Sequence, residues 1–241
     1  MRRGFKCKEE ILKVLIEEYN KIVVREFFGD YLTAVQKFDD ITEKELRRYL
    51  NPFYNTSRSL DQAWKTCKGT LYEYAVFKCL NQIIQNDTNL RDRFEIVTGD
   101  EAPAQYREQI AIKNWNEILP DADILVLGKE TKQVKAIISC KTSLRERLTE
   151  TAFWKRELEK SDRTRNTKII FITSDKDEEL KTEPNRYILL HVVDCTFITD
   201  PKKFNALIKH YKKKYGLRED FSKLTSKIKS IDKIKEFLET L

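Results

Sequence analysis

Apolar positions along the first third of the chain recur at helical spacing. Ile11, Leu12, Val14, Leu15 and Ile16 are followed by Tyr19, Ile22 and Val23, the pattern of a helix with one buried stripe. Phe28-Gly29-Asp30 breaks it. Asp40-Ile41-Thr42-Glu43 resembles a helix start, with Thr42 as N-cap and Glu45 three residues on. Asn51-Pro52 ends that helix, because the residue before proline disfavours helical geometry. A long helix is expected over 59–85, where Trp64, Leu71, Tyr74, Ala75, Phe77, Leu80 and Ile83 make a broad apolar stripe around the small Gly69. Phe94-Glu95-Ile96-Val97 then reads as a short strand. Residues 105–119 stay open between helix and irregular structure.

The second half changes character. Ile124-Leu125-Val126-Leu127 and Val134-Lys135-Ala136-Ile137-Ile138-Ser139 are short apolar runs separated by a polar, turn-sized stretch. They read as a β-hairpin. A helix is expected over 144–160, then buried strands at 168–173 and at Tyr187-Ile188-Leu189-Leu190-His191-Val192-Val193. That order predicts a mixed α/β (α+β) fold whose sheet becomes parallel after the crossover helix. The Lys-rich residues 201–241 read as helical. The organisation expected is a helical N-terminal region over 1–55 and a second domain over 56–241.

Composition narrows the function. The 241 residues carry a net charge of +7, and 35% of them are charged. Such an excess fits a polyanion partner, although a solvated Lys-rich surface has the same composition. No apolar run is long enough to span a bilayer. The five cysteines (Cys7, Cys67, Cys79, Cys140 and Cys195) are scattered and form no CxxC pair. They are expected as reduced thiols in a cytoplasm, not as a disulfide frame or zinc site. With only His191 and His210, histidine-based catalysis is poorly supplied.

The chemistry concentrates in Pro120-Asp121-Ala122-Asp123 and Ser139-Cys140-Lys141. Residues two apart on an extended strand face the same side, so Asp121 pairs with Asp123 and Ser139 with Lys141. Across a hairpin, an acid and a lysine would meet. Carboxylates hold a hard divalent cation through oxygen, and a lysine orients water or stabilises phosphate charge. Phosphodiester hydrolysis needs those parts. Taken alone, Pro-Asp is also a common turn, and a strand-end lysine is often only solvated.

The arrangement resembles the PD-(D/E)xK nuclease motif, with Asp121 or Asp123 as the acid and Lys141 as the lysine. Ser139 stands where the simple pattern has a second acid. The run that follows, Thr142-Ser143-Leu144-Arg145-Glu146-Arg147, is similar to type II restriction endonucleases reading CCGG, or CC and GG around a central base or pair. Through Thr151-Ala152-Phe153-Trp154-Lys155 it resembles the BsaWI-like branch, with the likeness strongest over 68–177. The resemblance implies a restriction-endonuclease-like mixed sheet flanked by helices and a Mg2+ cofactor. It also implies double-stranded DNA as partner, a homodimer on a palindromic site, 5′-phosphate products and a companion DNA methyltransferase. Arg145, Glu146 and Arg147 would read bases, since arginine donates twice to guanine and a carboxylate accepts from cytosine.

Related enzymes place a glutamate on the helix after the lysine, near position 154, where this chain has Trp154. Glu150 and Glu157 flank that position. Glu73, on the long helix, is the preferred source of a further carboxylate. The expected metal set is Asp123, Asp121, Glu73 and Glu150, with Asp123 favoured over Asp121. Trp64, Phe153, Trp154 and His191 read as core. Asp175, Asp177 and Glu178 read as a solvated loop. Residues 209–214, with Lys155, Arg156, Arg163 and Arg165, are either phosphate grips or solvated faces. An inactive DNA-binding module and a non-specific nuclease are the competing functions.

Overall fold

The structure is a computed structural model that describes residues 7–99, 102–113, 117–144 and 147–241, with the backbone alone for Lys113 and Arg147. The chain divides into two compact units, Met1–Cys79 and Leu80–Leu241.

In the first unit, α1 (Glu9–Phe27) buries the expected stripe of Ile11, Leu15, Tyr19, Ile22 and Val23. It ends at Phe28 (φ 53°) and Gly29 (φ 82°), both in left-handed geometry. Asp30 caps α2 (Tyr31–Gln36) by accepting the Leu32 N–H at 2.9 Å. The helix start expected at Thr42 is not there. α3 (Phe38–Ile41) is already helical and continues as a π-helical turn over Thr42–Leu46 and a 3-10 helix over Arg47–Phe53. The Thr42 hydroxyl donates back to the Phe38 carbonyl at 2.7 Å and is not an N-cap. Glu43 is instead bound from α4 (Ser57–Asn86). It lies 2.9 Å from the buried Lys68 ammonium and 3.3 Å from Trp64 Nε1. Phe38 packs edge-on to Tyr19 and Tyr72, with ring centroids 6.0 and 5.0 Å apart.

One expectation about the cysteines fails. Cys7 and Cys67 form a disulfide across 60 residues of sequence, whereas Cys79, Cys140 and Cys195 are buried thiols outside any disulfide. Wide spacing says nothing about which thiols the fold brings together.

In the second unit, α5 (Thr88–Arg93) leads into β1 (Phe94–Thr98). The region left open by the sequence contains α6 (Ala104–Ile110) and a short antiparallel pair, β2 (Ile112–Lys113) with β3 (Glu117–Ile118). β4 (Ile124–Gly128) and β5 (Val134–Lys141) form the predicted hairpin. α7 (Arg147–Glu159) crosses to β6 (Lys168–Thr173), which pairs with β5 in parallel. A 3-10 turn at Glu179–Lys181, α8 (Glu183–His191) and β7 (Cys195–Ile198) follow. The chain closes with α9 (Pro201–Tyr215), α10 (Phe221–Lys227), β8 (Ile228–Ser230) and α11 (Ile234–Glu239).

Among the described residues the main sheet has six strands in the order β1-β4-β5-β6-β7-β8. The β1–β4 and β4–β5 pairs are antiparallel and the rest parallel. All five residues of β4 are buried, which explains their unbroken apolar run: a central strand covered on both faces has no polar side. Leu189, Leu190 and Val193 are fully buried, yet residues 183–191 are helix and not the expected strand. Pro184 in the first turn suits a helix start, and a short apolar run does not distinguish strand from buried helix. His191 consequently lies exposed at the helix end, beside the Tyr187 ring at 4.5 Å, and is not a core histidine.

Candidate active site

Asp123 is the residue before β4 and is held by both neighbouring strands. Its N–H donates to the Ile138 carbonyl at 3.2 Å, and its own carbonyl accepts the Gly99 N–H at 2.9 Å. The hairpin register carries its side chain to the end of β5. There Asp123 Oδ2 accepts the Cys140 N–H at 2.6 Å. Lys141 Nζ lies 2.9 Å from both Oδ1 and Oδ2. Asp121 Oδ2 stands 3.7 Å from the same ammonium. The predicted acid–lysine meeting therefore exists, and both aspartates share it.

The two aspartates differ in environment. The Asp123 side chain is 7% exposed, that of Asp121 45%. Burial pushes the Asp123 carboxyl above its ordinary value. The Lys141 charge and the Cys140 N–H pull it back, and the nearby Asp121 adds to the rise. Ser139 is buried two residues before Lys141, on the same face of β5. Asp121 also lines a small cavity of about 70 Å³ with Gly99, Arg107, Pro120 and Ala122.

Glu73 lies half-buried on the part of α4 that belongs to the first unit. Glu150 is exposed on α7, and Glu157 accepts from Lys160 on the same helix at 2.5 Å. Arg145 and Glu146 lie outside the described residues. Arg147 opens α7, its side chain likewise outside them. Among the described residues of the second unit, no three His, Cys, Asp or Glu side chains gather as a ligand set. Asp121 and Asp123 nevertheless suit magnesium. They are hard oxygen donors that both approach the Lys141 ammonium, and the buried Asp123 already requires cationic company.

Three bland readings need correction. Asp175 is 3% exposed and is not a solvated loop residue; Leu180 N–H donates to its Oδ1 at 3.3 Å. Lys155 is buried, with Nζ 2.8 Å from Asp194 Oδ2, so it braces the fold and does not face a phosphate. Phe153, expected in the core, is 52% exposed, whereas Trp64 is buried. The sequence reading also missed the contacts that hold the segment after Lys141. Lys176 N–H donates to the Thr142 carbonyl at 3.0 Å. Leu144 N–H donates to Glu179 Oε2 at 2.8 Å. Nothing in the local sequence signals a bond across 35 residues.

Comparison with known proteins agrees with this geometry. The structure superposes on the restriction endonuclease PspGI, solved in complex with substrate DNA, with a TM-score of 0.64. The match covers 95% of this chain and 92% of that one at 17% identity. The mixed sheet with flanking helices is thus the restriction-endonuclease fold. The sequence profile of the "BsaWI restriction endonuclease type 2" family matches residues 102–224. The chain is 30% identical over 235 residues to the protein assigned as type II restriction enzyme MjaVIP in Methanocaldococcus jannaschii, covering 87% of this chain and 95% of that one. A Helicobacter pylori protein assigned as type II restriction enzyme HpyAORF263P is 41% identical over 63 residues, 26% of this chain and 33% of its own. This chain belongs to the BsaWI family of type II restriction endonucleases, and its class of activity is site-specific DNA cleavage.

Proposed function

We propose that the protein hydrolyses double-stranded DNA at a palindromic site containing CC and GG, with Mg2+ as cofactor and as a homodimer. The observation that carries this is the 2.9 Å approach of Lys141 Nζ to both oxygens of Asp123, with Asp121 at 3.7 Å. Asp123 and Asp121 would hold the cation, with Glu150 as the further carboxylate. When bound, the cation supplies charge neutralisation at the scissile phosphate and acidifies a water. Lys141, held against Asp123, would face the attacked phosphate and offset charge that builds there. Ser139 lines the same strand face.

Arg145, Glu146 and Arg147 read the G and C edges in the major groove. They follow directly on Leu144, three residues past the lysine. A palindrome read this way calls for a two-fold dimer, one centre per strand. Each centre would leave a 5′-phosphate. The host's own sites would be protected by a partner methyltransferase in the same cytoplasm. Among the described residues no helix is long and apolar enough to cross a membrane.

The test is digestion of unmethylated phage DNA with magnesium, followed by mapping of the fragment ends. Discrete fragments with ends inside a common CC/GG palindrome support the proposal. A smear would favour a non-specific nuclease. Intact DNA that is retarded in a gel would favour an inactive binding module.

A further inference from the structure

The segment leaving β5 is held by a loop that lies far along the chain. The Thr142 carbonyl accepts both the Lys176 N–H, at 3.0 Å, and Ser174 Oγ, at 3.4 Å. Two residues on, Leu144 N–H donates to the Glu179 carboxylate at 2.8 Å. Leu144 is itself fully buried, as is Leu180 next to Glu179. A charged acceptor makes such a bond short and directional.

Glu179 is rigidly mounted. Its carbonyl accepts Asn185 Nδ2 at 2.9 Å. The turn it opens is tied on its other side, where the Tyr211 hydroxyl donates to the Leu180 carbonyl. Upstream, Asp175 sits in left-handed geometry (φ 46°), and its carbonyl accepts Lys203 Nζ at 2.9 Å. α8 and α9 thus both anchor the turn that presents Glu179 to Leu144.

We propose that Glu179 is a positioning residue for sequence discrimination: it fixes the N–H of Leu144, the residue that directly precedes Arg145-Glu146-Arg147 in the chain. The proposal rests on the base-reading assignment made above. Leu144 is the last residue before that triplet, and α7 starts within it at Arg147. An error of about 1 Å in placing a recognition or reacting group costs on the order of 10²-fold.

The experiment compares Glu179→Ala and Glu179→Gln with the parent enzyme and with Arg145→Ala and Arg147→Ala. The probes are a duplex carrying the site mapped from phage DNA and duplexes with one base pair of it changed. The readout is the ratio of kcat/KM on the mapped site to that on the changed sites. Glu179→Ala should lower this ratio by about 10-fold or more, and Glu179→Gln, whose amide oxygen still accepts the Leu144 N–H, should hold it within about 3-fold of the parent. A purely structural role would lower the rates on all duplexes together and leave the ratio alone. If Glu179→Ala does not fold, Glu179→Met, which keeps the bulk and offers no acceptor, takes its place.

A parent-like ratio in the Ala or Met variant, with the arginine variants losing discrimination, overturns the positioning role alone. Equal loss in Ala and Gln overturns the hydrogen bond as its cause. Parent-like ratios in both arginine variants overturn the base-reading assignment and this proposal with it.

Discussion

The ammonium of Lys141 bridges both carboxylate oxygens of Asp123 at 2.9 Å, and the N–H of Cys140, the residue between Ser139 and Lys141, donates to one of those oxygens at 2.6 Å. One aspartate is thus fixed by the backbone and the side chain of the opposing strand. The strand end is built around a charge pair that is itself largely withdrawn from solvent. Such a pair is a poor way to gain stability. It is a good way to hold an acid and a cation ready for a polyanion.

Removing the Asp123 charge should therefore cost activity. Asp123→Asn keeps an acceptor for the Cys140 N–H but leaves Lys141 without its counter-charge. Single-turnover cleavage with magnesium should fall by at least about 10²-fold. A rate within tenfold of the parent would remove Asp123 from the centre.

Gly99 makes the approach to Asp123 feasible. Its N–H donates to the Asp123 carbonyl, and a Cβ at position 99 would lie 1.6 Å from the Ala122 carbonyl oxygen. That neighbour is backbone and has no rotamer to yield. Gly99→Ala should destabilise the protein by about 2 kcal/mol or more in chemical denaturation and should lower cleavage per folded molecule. Unchanged stability would mean that the 99–122 approach is looser than described.

Asp175 gives stability a pH dependence. Burial raises its carboxyl above the ordinary value, so the folded state favours the protonated form. Its contribution is fully present below the unfolded value, about 3.9, and is lost as pH rises through the folded value. Asp175→Asn keeps an oxygen for the Leu180 N–H, and asparagine tolerates the φ of 46°. The variant should melt higher than the parent at pH 7, with the gain disappearing below about pH 4. A gain of the same size at both pH values would show that ionisation is not its source.

Lys155 separates bracing from DNA contact. Its ammonium is buried 2.8 Å from Asp194, whose carboxylate also accepts the Ile169 N–H at 2.8 Å and lies 3.6 Å from the Lys168 ammonium. Lys155→Ala should cost about 3 kcal/mol of stability, and the salt dependence of DNA binding should not change. Unaltered stability with a shallower salt dependence would restore it as a phosphate grip.

These residues show what local pattern reveals. Asp123 and Lys141 were legible because a hairpin joins them: 18 residues and one turn separate them, and strand alternation sets their faces. The unbroken apolar runs of β4 and β6 were legible because strands covered on both faces carry no polar side. The helix at Glu183–His191 was not, because its apolar residues satisfy a strand pattern equally well. The three-residue edge strand β8 was too short to register. Contacts over long sequence separation were invisible: Cys7 with Cys67, and Leu144 with Glu179. Their partners are chosen by tertiary packing, and neither end carries a local signal. Asp175 reads as an ordinary loop acid until packing buries it.

Lys141 is proposed to act in cleavage and not in holding DNA. Lys141→Ala should be assayed in parallel for magnesium-dependent cutting of phage DNA and for retention of a site-bearing duplex in a gel. Loss of cutting with binding essentially intact is the expected outcome. Cutting at the parent's rate would contradict it.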